Sequence, residues 1–107
     1  MRDELMPGTL DMLILKAVSL APMHGYAIAQ HLRQVSKEVV QVEEGSLYPA
    51  LQRVLAKKWV TAAWGETASK RRARFYTITT AGRKQLEGEV EGFLRMSTAI
   101  RRVISQT

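Results

Sequence analysis

A mainly α, α+β domain is predicted by three features of this 107-residue chain. Apolar residues recur at helical spacing through the first half. The period then switches to strand-like alternation after Trp59, and a long apolar stripe returns at the end. A chain of this length fits one domain and is too short for two ordinary cores.

The first helix is expected to begin near Thr9 as N-cap, with Asp11 in its first turn. Leu10, Leu13, Ile14, Ala17 and Val18 form its buried stripe, and Pro22 ends it. A second helix starts around His24-Gly25 with Ile28, Leu32 and Val35 inward. Glu38 to Gly45 reads as a turn or short extended link. Ser46 is then expected to cap a third helix that carries Pro49 in its first turn. Its inner stripe is Leu47, Ala50, Leu51, Val54 and Leu55, which sends Tyr48, Pro49, Gln52, Arg53, Ala56 and Lys57 outward.

Val60, Ala62 and Trp64 share one face of a strand, and Arg74, Tyr76 and Ile78 one face of a return strand over Arg72 to Ile78. Gly65 to Ser69 is turn-like, and Arg74 is placed to pair with Glu66 across the hairpin. Thr79 or Thr80 caps a last helix whose Leu86, Val90, Phe93, Ser97, Ile100 and Ile104 alternate in steps of four and three, widened by Leu94 and Val103. Too little chain remains to cover that stripe, so a second copy is its natural cover. The order is that of a winged helix-turn-helix with a C-terminal dimerisation helix. It divides one domain, 1–107, into a core at 9–78 that would meet DNA and a dimerisation helix at 79–107.

Charge is segregated along the chain. The net charge is +6 and the pI about 10.1, yet residues 46–84 carry nine basic side chains against Glu66 alone. Solubility does not require that segregation; a phosphate-binding face does. Hydrophobic residues at 46% and charged residues at 24% are ordinary for a soluble globular protein. The absence of cysteine excludes disulfides and thiolate metal sites and fits a reducing cytoplasm. Met1-Arg2-Asp3-Glu4 leads into no apolar run, so no signal peptide is expected, and Leu10 to Leu20 is too short to span a bilayer.

Five blocks in order resemble the PadR family of bacterial transcriptional regulators, in its short form with a single C-terminal helix. They are Gly8 to Lys16 (GTLDMLILK), His24 to Ala29 (HGYAIA), Gly45 to Leu51 (GSLYPAL), Trp64-Gly65, and Arg71 to Tyr76 (RRARFY). The sequence departs from the family pattern at Lys58, where many members carry glycine, and at Leu55, where they carry glutamate. The resemblance implies a cytoplasmic regulator, a repressor, that binds a palindromic operator in double-stranded DNA as a homodimer. It also implies that Tyr26 contacts a phosphate, with burial of its ring the alternative, and that a flat aromatic effector in some members sits near the dimer interface, here at Phe93 and Met96. An aromatic at helical spacing is more often plain interface core.

The third helix is the candidate major-groove reader, through Ser46, Tyr48, Pro49, Gln52, Arg53 and Lys57. Lys70, Arg71 and Arg72 form a basic wing tip. The dimer interface is expected at Leu10, Leu86, Val90, Phe93, Leu94, Ser97, Ile100 and Ile104. Trp59 and Trp64 read as hairpin packing, and Glu43-Glu44 as a solvated loop. No cofactor, membrane association or catalysis is expected: His24 and His31 lie seven apart without a nearby carboxylate partner, and Ser46 has no local base. A winged-helix protein–protein adaptor and an RNA-binding module are the alternatives.

Overall fold

The structure, a computed structural model, describes Leu5 and residues 8–107. The amino-terminal Met1 to Glu4, on which the expectation of no signal peptide rests, lie outside the described residues. The elements run α1 (Thr9–Leu20), β1 (Met23–His24), α2 (Gly25–Val35), α3 (Glu44–Ala56), β2 (Val60–Glu66), β3 (Arg72–Ile78) and α4 (Thr80–Ile104). This is an α+β winged helix with a small antiparallel sheet in the order β1-β3-β2.

Helix α1 is the axle of the core. Ile14, Leu15 and Ala17 are fully buried and meet Ile28 of α2, Ala50, Leu51 and Val54 of α3, and Val60 of β2. Each buried Ile, Leu or Val among them stabilises the fold by about 1.5–3 kcal/mol. The N-cap of α1 is Gly8 at φ +85 rather than Thr9, and no side chain caps it. Pro22 does act as expected, because the preceding Ala21 is held extended at φ −171. Leu10, expected at a dimer interface, is 9% exposed and belongs to the core of its own domain.

In α2, Ile28 and Leu32 are buried, but Val35 is 64% exposed because it falls at the last turn, past the edge of the core. The link to α3 is pinned at several points. Lys37 and Glu38 both adopt left-handed backbone at φ 54 and 71. Glu38 N–H donates to Arg33 O and Lys37 N–H to Gln34 O, a Schellman closure. Ser36 Oγ then accepts from Val40 N–H at 2.8 Å, and an Arg33–Glu38 ion pair spans the corner.

Helix α3 begins three residues earlier than Ser46 would set it. Glu43 is its N-cap, so Ser46 lies within the first turn and Pro49 in the second. Pro49 cannot donate to Gly45 O, a bond lost on the exposed side of the helix. Helix α3 ends in a second Schellman closure, with Lys58 N–H to Leu55 O and Trp59 N–H to Val54 O, both at 3.0 Å. Lys58 sits at φ 62 in the left-handed position where glycine is favoured.

Thr79 welds α4 to that corner. Its Oγ1 accepts from Gly82 N–H and donates to Lys58 O, while its N–H donates to Trp59 O. A Cβ on Gly82 would stand 2.0 Å from Trp59 O, so only glycine permits this approach. Beyond Val90, α4 leaves the core: Leu94, Met96, Val103 and Ile104 are between 57% and 75% exposed.

Candidate nucleic-acid interface

The face of α3 away from the core is open to solvent along its length. Tyr48, Pro49, Gln52, Arg53, Ala56 and Lys57 are all exposed, as is Ser46. Their positions follow from packing, since Leu47, Ala50, Leu51 and Val54 take the inner stripe at 2% exposure or less. Tyr26, at the first turn of α2, is 68% exposed, and its hydroxyl accepts from Gln30 Nε2 at 2.6 Å. Tyr26 and Tyr48 line a common cleft of about 300 Å³ between α2 and α3, whose apolar floor includes Ala29, Val42 and Leu47. Glu43 and Glu44 also line that cleft, placing them at the start of α3 and not in a free loop.

Arg53 occupies a different situation from its neighbours. Its Nη2 donates to Asp11 Oδ1 at 2.8 Å and its Nε to Asp11 Oδ2 at 3.2 Å. Asp11 is buried on α1, its side chain 10% exposed, whereas the Arg53 side chain is half exposed. Hydrogen bonding to Asp11 raises the Arg53 pKa, with burial acting in the opposite direction. The guanidinium fork that would read a guanine is spent on tying α3 to α1. Asp11, expected only to complement the helix dipole, is thus the anchor of α3.

The hairpin forms the wing. Val60 pairs with Ile78 and Glu66 with Arg72, so Arg74 stands opposite Trp64 and not opposite Glu66, correcting the expected pairing. The tip is a tight turn in which Lys70 N–H donates to Thr67 O and Thr67 N–H to Arg71 O. Lys70 takes φ 63, and Thr67 Oγ1 accepts from Arg71 N–H at 3.1 Å. Lys70, Arg71 and Arg72 are all exposed.

Burial along the hairpin fades outward. Val60 is 1% exposed, Ala62 intermediate and Trp64 62% exposed, so the expected shared face is core only at its base. Trp64 therefore does not pack inside the domain; the Arg72 guanidinium lies over its ring at 4.5 Å. Lys57 lies likewise over Trp59, at 4.7 Å. Burial raises the Tyr76 pKa, with Arg74 opposing and Tyr48 adding to the shift.

Strand β1 and the role of His24 were not legible in the sequence. His24 Nδ1 caps α2 by accepting from Ala27 N–H at 3.4 Å, and its ring meets Phe75 edge-on at 5.3 Å. A two-residue strand shows no alternation, and histidine is not among the residues that favour an N-cap. Among the described residues, no group of His, Asp and Glu is placed to hold a metal ion, and no helix is long and apolar enough to cross a membrane.

A helix-turn-helix followed by a basic antiparallel wing defines the class of winged-helix DNA-binding proteins. Within it, residues 14–88 match the Transcriptional regulator PadR-like family, and the chain belongs to that family of regulators, which are not enzymes. Among solved structures, a PadR-like transcriptional regulator from Bacillus cereus superposes with a TM-score of 0.80 at 26% identity, covering 94% of this chain and 95% of that one. A transcriptional regulator from Clostridium thermocellum gives the same TM-score at 25% identity, covering 89% and 92%. A 37.1 kDa protein in transposon TN4556 of Streptomyces fradiae is 41% identical over 87 residues, 81% of this chain but only 24% of that protein.

Proposed function

We propose that the chain is a homodimeric cytoplasmic repressor that binds a palindromic operator, using residues 9–78 to contact DNA and 79–107 to dimerise. The reading is carried by one observation: the exposed face of α3 runs into a wing whose tip carries Lys70, Arg71 and Arg72. Across residues 46–84 only Glu66 opposes the basic side chains. Tyr48, Pro49, Gln52 and Lys57 enter the major groove, with Ser46 near the amide groups that begin α3 and Tyr26 on a flanking phosphate. Arg53 serves the interface by holding α3 in place.

The second copy covers α4 through Leu86, Val90, Phe93, Leu94, Ser97, Ile100 and Ile104. Support comes from the exposed apolar residues of its distal half, with Phe93 at 47% and Ile100 at 45% exposure. Phe93 and the neighbouring Met96, 61% exposed, also offer a flat apolar surface on which a small aromatic effector could act by shifting the two helices. Repression follows where the operator overlaps a promoter.

Gel shifts with duplexes from the region upstream of its own gene test the reading. Binding should tighten steeply as salt is lowered and should favour a duplex containing an inverted repeat. Equal affinity for every duplex, or none for any, overturns it.

A further inference from the structure

Three arginines near the interface hold their guanidinium groups in three different ways. Arg33 is spent on Glu38 and Arg53 on Asp11. Arg72 stands directly opposite Glu66 in the hairpin register, where a cross-strand ion pair would be the simple outcome. Among the described residues no ion pair joins them, and the Arg72 guanidinium lies instead over the Trp64 ring at 4.5 Å. There it makes no hydrogen bond to a described side chain, so its donors are unspent. The ring earns little by packing, being 62% exposed on the outer half of the strand.

We infer that Trp64 is a positioning residue for DNA binding: it holds the Arg72 guanidinium off Glu66 and presents its N–H donors to a duplex phosphate. This rests on the reading of the hairpin as a DNA-contacting wing. The physical reason is preorganisation. A free arginine loses rotamer freedom when it engages a phosphate, and one already held over an aromatic face loses less. A carboxylate would hold it too, but by consuming the donors the phosphate needs.

A double-mutant cycle on duplex affinity tests it, with Trp64→Leu, Arg72→Gln and the pair together, each checked by thermal melting. Trp64→Leu should weaken binding by about threefold to tenfold, and Trp64→Phe should restore most of the loss. On the Arg72→Gln background the Trp64→Leu change should have no further effect. An equal loss on both backgrounds, or none on either, overturns the inference while leaving the DNA reading intact. Should leucine fail to fold, Trp64→Val serves, with its stronger strand preference. A readout without DNA is acrylamide quenching of Trp64 fluorescence in a Trp59→Phe background. Quenching should rise when Arg72 becomes glutamine, and unchanged quenching contradicts the contact. If the wild-type chain binds no duplex, the DNA reading fails first and this inference falls with it.

Discussion

Lys58 holds a backbone conformation that costs an L side chain about 1 kcal/mol or more, and it does so because the Schellman closure of α3 demands it. Lys58→Gly should therefore raise stability by about 0.5–1 kcal/mol, read as a higher midpoint in chemical denaturation. The Asp11–Arg53 pair is asymmetric, one partner buried and the other half exposed. Arg53→Met leaves a buried carboxylate without its partner and should cost about 1–3 kcal/mol. Asp11→Asn leaves an arginine that water can reach and should cost less. Equal losses would show that the buried carboxylate is hydrated. Tyr76 is 4% exposed, and burial raises its pKa above the ordinary 10.0. In the unfolded chain the phenol ionises first, so its contribution is intact below pH 10 and is lost as pH rises through the folded value. Melting temperature should therefore fall more steeply above pH 10 in the wild type than in Tyr76→Phe.

At the scale of elements, the sequence states most clearly whatever is periodic. The stripe of Leu47, Ala50, Leu51 and Val54 defines the inner face of α3 and hence, by exclusion, its outward one. The switch of period after Trp59 marks the hairpin. What periodicity does not carry is pairing. Register is set by the whole hairpin, so local spacing offers Glu66 to Arg74 whereas Trp64 is its partner. Arg53 and Asp11 are 42 positions apart, and nothing local distinguishes Arg53 from the other cations near it. Val35 and Trp64 carry apolar signals at the ends of their elements, where the core has already run out. Boundaries were hidden for a related reason. Glu43 starts α3 without a side-chain cap, whereas Ser46 looks like one. At the wing, Arg71→Gln should lower the slope of log affinity against log salt by about 0.9 if the side chain neutralises one phosphate. An unchanged slope would place Arg71 off the DNA.

For the molecule as a whole, one long helix has two duties. The first half of α4 is welded to the α3–β2 corner through Thr79 and Gly82, which fixes its start against the end of α3. Its second half extends as an apolar surface, stretching the chain to 55 × 32 × 21 Å. Ile100→Glu places a charge on that surface away from the core. It should leave the melting of the DNA-binding core intact at low concentration but yield a monomer in light scattering, with duplex affinity reduced at least tenfold through loss of the second head. Hydroxyl-radical footprinting on the duplex upstream of its own gene tests the central claim, that two joined heads read DNA together. Two protected patches should appear with centres about one helical turn, 10–10.5 base pairs, apart and should vanish together as salt rises. A single patch of one-head width, bound at full affinity by the Ile100→Glu chain, would contradict the account.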